Sequence, residues 1–153
     1  MTTLEHQVPA TVIDPATRIG VVSLTVAKVD RSVDFYTEAM GFTVLRRDGS
    51  DAALGVGGTP LLLLHEQLGA LPWMVDQMTG LYHFAILVPS RLDLGRWLRH
   101  YIGLGFPPPG QGDHIVSEAL YLRDPDGHRI EVYRDRPRDE WRWANGKVQM
   151  GAG

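Results

Sequence analysis

The chain has 153 residues, of which 44% are hydrophobic and 22% are charged, and its formal net charge is -3. This composition predicts one globular domain that buries roughly two-thirds of its unfolded surface. Lysine and arginine are interleaved with acidic residues, so we expect neither a nucleic-acid partner nor binding to an anionic membrane surface. The chain has no cysteine, which excludes disulfides, thiolate metal ligands and cysteine nucleophiles.

The cellular location is predicted from the same features. The first 18 residues are polar, contain two prolines and lack the apolar core of a secretory signal. The longest apolar run, Leu61–Leu64, is too short to span a bilayer. We therefore expect a cytoplasmic protein that does not associate with membranes.

An internal repeat organises the chain. Ile19–Val26 and Leu81–Val88 are both predicted as strands, and each is followed by a helical pattern that ends in Gly-Phe, at Gly41-Phe42 and at Gly105-Phe106. The near-constant offset between these matches favours a duplicated module over two coincidentally similar halves.

The helix boundaries are predicted from capping residues. Asp30 and Ser90 are placed to accept from early backbone N–H groups, and Gly41 and Gly105 occupy the position of a left-handed C-terminal residue. Apolar residues at helical spacing predict the faces that the sheets cover. These residues are Val33, Tyr36, Leu94, Trp97 and Leu98.

Further strands follow each helix. The first half gives Phe42–Arg47, Ala52–Val56 and Pro60–His65; the second half gives Ser117–Arg123 and Arg129–Arg134 around the turn Asp124-Pro-Asp-Gly127. The stretch 107–112 is too proline-rich for a central strand and predicts a short or edge strand. The predicted fold is α+β, with two βαβββ modules that form an open, cleft-bearing barrel. Its parts are an N-terminal extension (1–18), module 1 (19–66), a linker (67–80), module 2 (81–135) and a C-terminal tail (136–153), which Trp141 and Trp143 would dock.

Two ionisable residues interrupt the apolar strands of the second module. His83 lies beside Phe84 and near Ile86, and Glu131 lies between Ile130 and Val132. Burying either group is costly unless it is paired or bound to a metal. If both point into one concave face, they would begin a site for Fe, Mn or Zn. A satisfied core histidine and an outward-facing glutamate are the alternative on these residues alone.

Several motifs resemble the vicinal oxygen chelate superfamily, which includes glyoxalases, bleomycin resistance proteins and extradiol dioxygenases. They are Phe35-Tyr36 with Gly41-Phe42, and the run from Tyr121 to Glu131 that contains Asp-Pro-Asp-Gly-His. The segment Gly112–Tyr121, together with Asp135–Trp141, resembles the amino-terminal half of bacterial catechol 2,3-dioxygenases. The motifs specify the fold more than the reaction, because the superfamily supports several activities.

The resemblance implies roles for four residues. His83 and Glu131 fall on the metal-ligand positions of the first and last strands of module 2. Tyr121 matches a tyrosine beside the metal-bound substrate, and His114 resembles a histidine near bound oxygen or substrate. In module 1 the two corresponding positions align with apolar residues, Val21 and Leu62, so only two of the usual three or four ligands are visible.

The resemblance implies an extradiol-type ring-cleavage dioxygenase that acts on a catecholic substrate with O2. Fe(II) is the expected metal, with Mn(II) or Zn(II) as alternatives. Tyr121 would hold the deprotonated substrate oxygen, and His114 would act as an acid–base group or hydrogen-bond donor. The alternatives are a non-catalytic binder of an aromatic or hydrophobic molecule, or another chelate-type enzyme such as a glyoxalase or epimerase. A binder's cleft would be lined by aromatic residues: Trp73, Tyr82, Phe84 and Trp97.

The incomplete ligand set leaves three possibilities. His114 or His65 supplies a third ligand, or a second chain contributes one. Otherwise the site is weak or empty, and the protein is a binder or an enzyme half that needs a separate partner. We expect a homodimer, because isolated modules leave sheet edges and apolar tail residues exposed. Of the other histidines, His100 is expected at the surface and His128 in a solvent-facing turn.

Overall fold

The computed structural model describes residues 13–14, 16–72 and 80–151. Residues 1–12 of the predicted extension and Trp73 of the predicted linker lie outside this range. The elements run, in chain order, β1 Val22–Val26, α1 Val29–Glu38, β2 Thr43–Asp48, β3 Asp51–Val56, β4 Thr59–Glu66, β5 Phe84–Leu87, α2 Arg91–Gly103, β6 Gly110–Asp113, β7 Ser117–Arg123, β8 Arg129–Asp135, a 3-10 turn Arg138–Glu140, β9 Trp143–Ala144 and β10 Lys147–Val148. No helix in the described part of the chain is long and apolar enough to cross a membrane.

Two four-stranded sheets have the same topology. Their strand orders are β1-β4-β3-β2 and β5-β8-β7-β6. In each sheet the strand before the helix pairs parallel with the last strand, and the remaining pairs are antiparallel. The structure therefore contains two βαβββ units, and their sheets remain separate and open, as the α+β prediction requires.

The core lies between the helices and one face of each sheet. Leu62 and Leu64 of β4 point towards it, as do Ile130 and Val132 of β8. Of the predicted helix-face residues, Tyr36 and Leu94 are buried, whereas the other three are only partly buried and pack against the core. Because alternate strand residues face opposite ways, the other face of each sheet is left open.

The helices of the two units contact each other directly. Trp97 Nε1 donates to the carbonyl oxygen of Ala39 at 3.0 Å, and His100 Nε2 lies 2.6 Å from the carbonyl oxygen of Glu38. The Phe35 and Phe106 rings pack edge to face at 5.9 Å. These contacts join the two units into one core on the helix side.

The helix ends match the sequence prediction at three of four positions. Ser90 caps α2 by accepting from the Asp93 amide at 3.2 Å, and Gly41 and Gly105 have φ angles of 74° and 87°. The prediction for Asp30 is wrong, since α1 begins one residue earlier and Asp30 lies in its first turn. The first amide of α1, that of Val29, is instead bonded to Glu66 Oε2 at 2.9 Å.

The strands are close to the predicted ones. The strands before each helix are shorter than predicted, and β6 lies at the edge of its sheet, as the prolines before it indicated. In the tail, β9 and β10 form a two-stranded hairpin. Trp141 Nε1 donates to the carbonyl oxygen of Arg136 at 2.9 Å, whereas Trp143 remains largely exposed.

Candidate active site

The candidate site occupies the open face of the second sheet. Tyr121 of β7 and Glu131 of β8 are directly opposite in the antiparallel register. Their strand neighbours Leu122, Ile130 and Val132 are buried. Strand alternation therefore directs Tyr121 and Glu131 away from the core. Glu131 therefore points away from the core, as the alternative prediction from the sequence had it, but its side chain has specific partners.

His83 meets Glu131 across the sheet. His83 immediately precedes β5, and Ala85, two residues further on, pairs with Glu131 in the parallel register. His83 Nε2 lies 3.0 Å from Glu131 Oε2, with 34% of the His83 side chain and 13% of the Glu131 side chain exposed. The imidazole and the carboxylate, predicted from sequence to interrupt apolar strands, are therefore in direct contact.

Tyr121 extends this contact to His114. The Tyr121 hydroxyl donates to Glu131 Oε1 at 3.0 Å, and His114 Nε2 lies 2.7 Å from the same hydroxyl. Because a phenol has only one proton to donate, His114 Nε2 must carry the proton of the second hydrogen bond. The four side chains thus form one continuous chain of contacts, from His83 through Glu131 and Tyr121 to His114.

The surroundings keep Tyr121 protonated. Burial, the hydrogen bond to Glu131 and the negative charge of Glu131 raise the pKa of Tyr121 to about 12. The ionised form is disfavoured both by loss of solvent and by nearby negative charge. Tyr121 is therefore a neutral hydrogen-bond donor at physiological pH.

A cavity of about 360 Å³ adjoins these groups. This volume falls in the usual range for small-molecule sites. The Tyr82 and His83 rings approach edge to face at 5.2 Å on one side of it. Its lining residues are Tyr82, His83, Tyr121, Leu122, Arg123 and Arg129.

The pair His83–Glu131 fits two neighbouring positions around one metal ion. Two ligand atoms that each lie about 2.1 Å from an ion and subtend a right angle are about 3.0 Å apart, which equals the observed separation. In the described ranges, however, no group of three or more His, Asp or Glu side chains is placed to hold a metal. The second module therefore brings together two candidate ligands, His83 and Glu131.

The first module supplies apolar residues at the matching positions. In the first sheet Val22 pairs with Leu62, and in the second Phe84 pairs with Ile130. The counterpart of Glu131 is therefore Leu63, and the sequence alignment that placed Leu62 there was wrong by one residue. Leu62 is only 1% exposed and faces the helices.

The counterpart of His83 is Val21, as the sequence alignment placed it. Val21 lies one residue before β1, as His83 lies one residue before β5. The side chains of Val21 and Leu63 contain no metal-binding atom. Module 1 therefore offers no candidate ligand at either of these two positions.

Gly112 is a site residue that the sequence analysis missed. A Cβ atom at this position would lie 3.0 Å from His114 Nε2 and 3.0 Å from Tyr121 Cε2. Gly112 therefore leaves the space that lets the imidazole and the phenol meet. Its place two residues before His114 was visible in the sequence, but the close approach depends on how β6 pairs with β7.

The other histidines of the described ranges have structural partners. His65 Nδ1 lies 2.9 Å from Asp51 Oδ1 at the end of β4, and His100 is exposed, as expected. The expectation for His128 was wrong: its side chain is 15% exposed, and Nδ1 lies 2.9 Å from the buried carboxylate of Asp124. Asp124 holds the turn that carries His128 towards the core.

Comparison with known proteins agrees with this fold. The chain belongs to the glyoxalase/bleomycin resistance protein/dioxygenase superfamily, whose family model matches residues 18–132. It is 46% identical over 130 residues to the catechol-2,3-dioxygenase of Bacillus subtilis, and the alignment covers 82% of this chain and 44% of that protein. It is 30% identical over 124 residues to a lactoylglutathione lyase of Arabidopsis thaliana, covering 75% of this chain and 43% of the relative.

Among solved structures, a glyoxalase/bleomycin resistance protein/dioxygenase domain from Frankia superposes with a TM-score of 0.67. The identity is 25%, over 78% of this chain and 98% of that domain. The chain spans less than half the length of the curated relatives it matches.

Proposed function

We propose that the protein is an extradiol-type ring-cleavage dioxygenase that acts on a catecholic substrate. The observation that carries the proposal is the continuous contact chain from His83 to His114 beside a ligand-sized cavity. The 46% identity to a catechol-2,3-dioxygenase supports the same reaction. In that reaction both atoms of O2 enter the product, and the bond broken is a ring C–C bond next to one hydroxyl-bearing carbon.

Tyr121 and His114 would take part in hydrogen bonding and proton transfer at the substrate hydroxyl. Tyr121 is neutral and donates to Glu131; the same phenol can turn its proton towards a substrate oxyanion. A donor placed at a developing negative charge stabilises it more strongly in a partly desolvated cleft than in water. His114 Nε2 carries the proton of its hydrogen bond to the Tyr121 oxygen. His114 would therefore serve as a hydrogen-bond donor, or as an acid when its other ring nitrogen is also protonated.

His83 and Glu131 would hold the metal, with Fe(II) our first choice and Mn(II) or Zn(II) the alternatives. When bound, Fe(II) or Mn(II) would supply the Lewis-acid and redox chemistry that cleavage by O2 requires, whereas Zn(II) would supply Lewis-acid chemistry alone. Before the substrate binds, Tyr121 would orient Glu131 by its hydrogen bond to Oε1, leaving Oε2 for the ion. A third ligand must come from outside this pair. The lack of cysteine suits a reducing compartment, and we propose that the enzyme works in the cytoplasm.

The decisive experiment uses anaerobically purified protein loaded with Fe(II). We expect stoichiometric iron, uptake of one O2 per catechol consumed, and a coloured ring-opened product. His83→Ala and Glu131→Ala should each lose iron and turnover, while the matched variant His100→Ala, at an exposed histidine, should keep both. Unchanged iron content in both site variants would refute the assigned metal site.

The second candidate function is another chelate-type enzyme, since a lactoylglutathione lyase is also similar to this chain. A third is a binder without catalysis, because the cavity has aromatic walls. Metal content separates the binder from the two enzymes, since a binder should purify without metal. Turnover of a thiol–oxoaldehyde adduct without O2 uptake would favour the lyase-type reaction over ring cleavage.

A further inference from the structure

Two arginines face each other at the edge of the candidate site. Arg123 of β7 and Arg129 of β8 are directly opposite in the register, two residues along from Tyr121 and Glu131 on the same two strands. Since side chains alternate along a strand, both arginines share the open face with Tyr121 and Glu131. Both line the cavity that His83 and Tyr121 also line.

This pair lacks a counter-ion within the described ranges. Arg123 Nη1 donates to the carbonyl oxygen of Gly127 at 2.9 Å, and the Arg129 guanidinium lies 4.9 Å from the centre of the Tyr82 ring. Neither makes a salt bridge in the described part of the chain. Arg134, further along the same strand, pairs with Glu118 at 2.8 Å. Arg134 therefore has a carboxylate partner within the described residues, whereas Arg123 and Arg129 at the cavity have none.

Like charges directly opposite on neighbouring strands destabilise a sheet. The placement is therefore unfavourable in the free protein unless something compensates for it. The Tyr82 ring compensates in part, because a guanidinium over an aromatic face is attracted to it. The guanidinium N–H groups of Arg129 have no hydrogen-bond partner within the described ranges, so they are available to a carboxylate.

We propose that Arg129, assisted by Arg123, is a specificity-determining residue that binds a carboxylate on an aromatic substrate. The inference rests on the proposed function and narrows it to catechols that carry an acidic substituent. The ring would lie in the cavity with its hydroxyls towards His83, Glu131 and Tyr121, and its carboxylate would supply the missing counter-ion.

Binding to the metal-free protein tests this inference separately from catalysis. Calorimetry with benzoate and with neutral benzamide measures how much the carboxylate contributes to affinity, since the two ligands have nearly the same shape. We expect wild-type protein to prefer benzoate by roughly 10- to 100-fold, the effect of one charge-assisted hydrogen-bonded contact. Arg129→Gln should remove most of the preference and Arg123→Gln part of it, and circular dichroism should show both variants folded.

A control variant sets the limits of the test. Arg46→Gln removes the same charge from β2, at an exposed arginine outside the cavity, and should leave the preference unchanged. Equal affinity for benzoate and benzamide, or a preference that Arg129→Gln does not alter, would overturn the inference.

Turnover provides the second readout. The ratio of kcat/KM for 3,4-dihydroxybenzoate to that for 4-methylcatechol should exceed one in wild type and fall about 10- to 100-fold in Arg129→Gln. Benzoate preference without cleavage of any catechol would refute ring cleavage and support the anion site. Cleavage of both catechols at equal kcat/KM, with no benzoate preference, would support ring cleavage and refute the anion site.

Discussion

Tyr36 and Asp124 link the two repeated units through a buried hydrogen bond. The Tyr36 hydroxyl, on α1 of the first unit, donates to Asp124 Oδ2 in the turn between β7 and β8 at 2.9 Å. In the same turn Asp126 accepts from Ser32 at 3.2 Å and from Arg31 at 2.7 Å. The turn that connects the strands bearing Tyr121 and Glu131 is therefore anchored on the helix of the other unit.

We expect Tyr36→Phe to lower the free energy of unfolding by about 1–3 kcal/mol, because it removes a donor from a buried carboxylate. Denaturant titration measures the change. Tyr101→Phe is the matched control, since Tyr101 is also buried and its hydroxyl makes no hydrogen bond within the described ranges. Equal losses in the two variants would contradict a specific role for the Tyr36–Asp124 bond.

Much of this architecture could be predicted from local sequence. Apolar periodicity located both helices, and Gly41, Gly105 and Ser90 marked three of their ends. Asp30 was misplaced as a cap because the group bonded to the Val29 amide, Glu66, is distant in sequence. No local pattern reports a partner that only tertiary folding brings near.

The sequence predicted only part of the site, because local patterns show residue types but not the contacts that tertiary folding creates. His83 and Glu131 stood out as ionisable residues next to apolar ones, and the structure brings them together with Tyr121 and His114. The assignment of Leu62 instead of Leu63 came from aligning the two turns, whereas strand register defines the true counterpart. The Arg123–Arg129 pair and the spacing at Gly112 were not visible, since both depend on which residues lie opposite across β7.

The ionisation of Tyr121 gives a pH-dependent prediction. Glu131→Gln removes a negative charge that disfavours the phenolate, so it should lower the pKa of one tyrosine from about 12 towards the ordinary value near 10. Ultraviolet absorbance of tyrosinate during alkaline titration measures this. The difference should vanish in Tyr121→Phe protein, and its survival there would assign it to another tyrosine.

The same shift predicts how stability depends on pH. Because the pKa of Tyr121 is raised by folding, its contribution to the free energy of unfolding is fully present below about pH 10 and is lost as the pH rises towards 12. Tyr121→Phe should therefore flatten the fall in stability across that interval. Denaturant titrations at several alkaline pH values measure how the free energy of unfolding changes with pH. The same change in wild type and variant would contradict the role given to Tyr121.

Tyr121→Phe should also lower turnover by about 10- to 100-fold with little change in metal content, because Tyr121 bonds to Glu131 without being a proposed ligand itself. Tyr133→Phe is the matched control, lying two residues from Glu131 on the same strand. Steady-state kinetics and metal analysis on the same preparations test both. A proportional loss of metal and turnover would instead make Tyr121 part of the metal site.

Gly112→Ala should separate His114 from Tyr121. The added methyl group would lie 3.0 Å from His114 Nε2 and 3.0 Å from Tyr121 Cε2, so one ring must move and the hydrogen bond between them lengthens. We expect turnover to fall while global stability changes by less than about 2 kcal/mol. Gly95→Ala, where a Cβ meets nothing within 4 Å, should keep full turnover; equal activity in both variants would dismiss the spacing role of Gly112.

The last prediction concerns the missing ligand and the expected homodimer. The open face of the first sheet exposes Val21 and Leu61, and that of the second exposes Leu87 beside the site. Apolar residues on an open sheet face favour burial against another surface. A second copy of the chain would cover them, and it offers the simplest source for a third ligand, since the described residues of one copy offer only two.

We therefore expect light scattering to give twice the mass of the chain, and Leu61→Asp to shift it towards the monomer with a loss of metal affinity. Leu92→Asp, at an exposed leucine on α2, should leave both unchanged. If His114→Ala or His65→Ala removes metal from a protein that stays dimeric, the third ligand is that histidine and the partner is not needed for it. A monomeric wild-type protein that binds metal stoichiometrically would refute the homodimer, because the incomplete ligand set would then be completed within one chain.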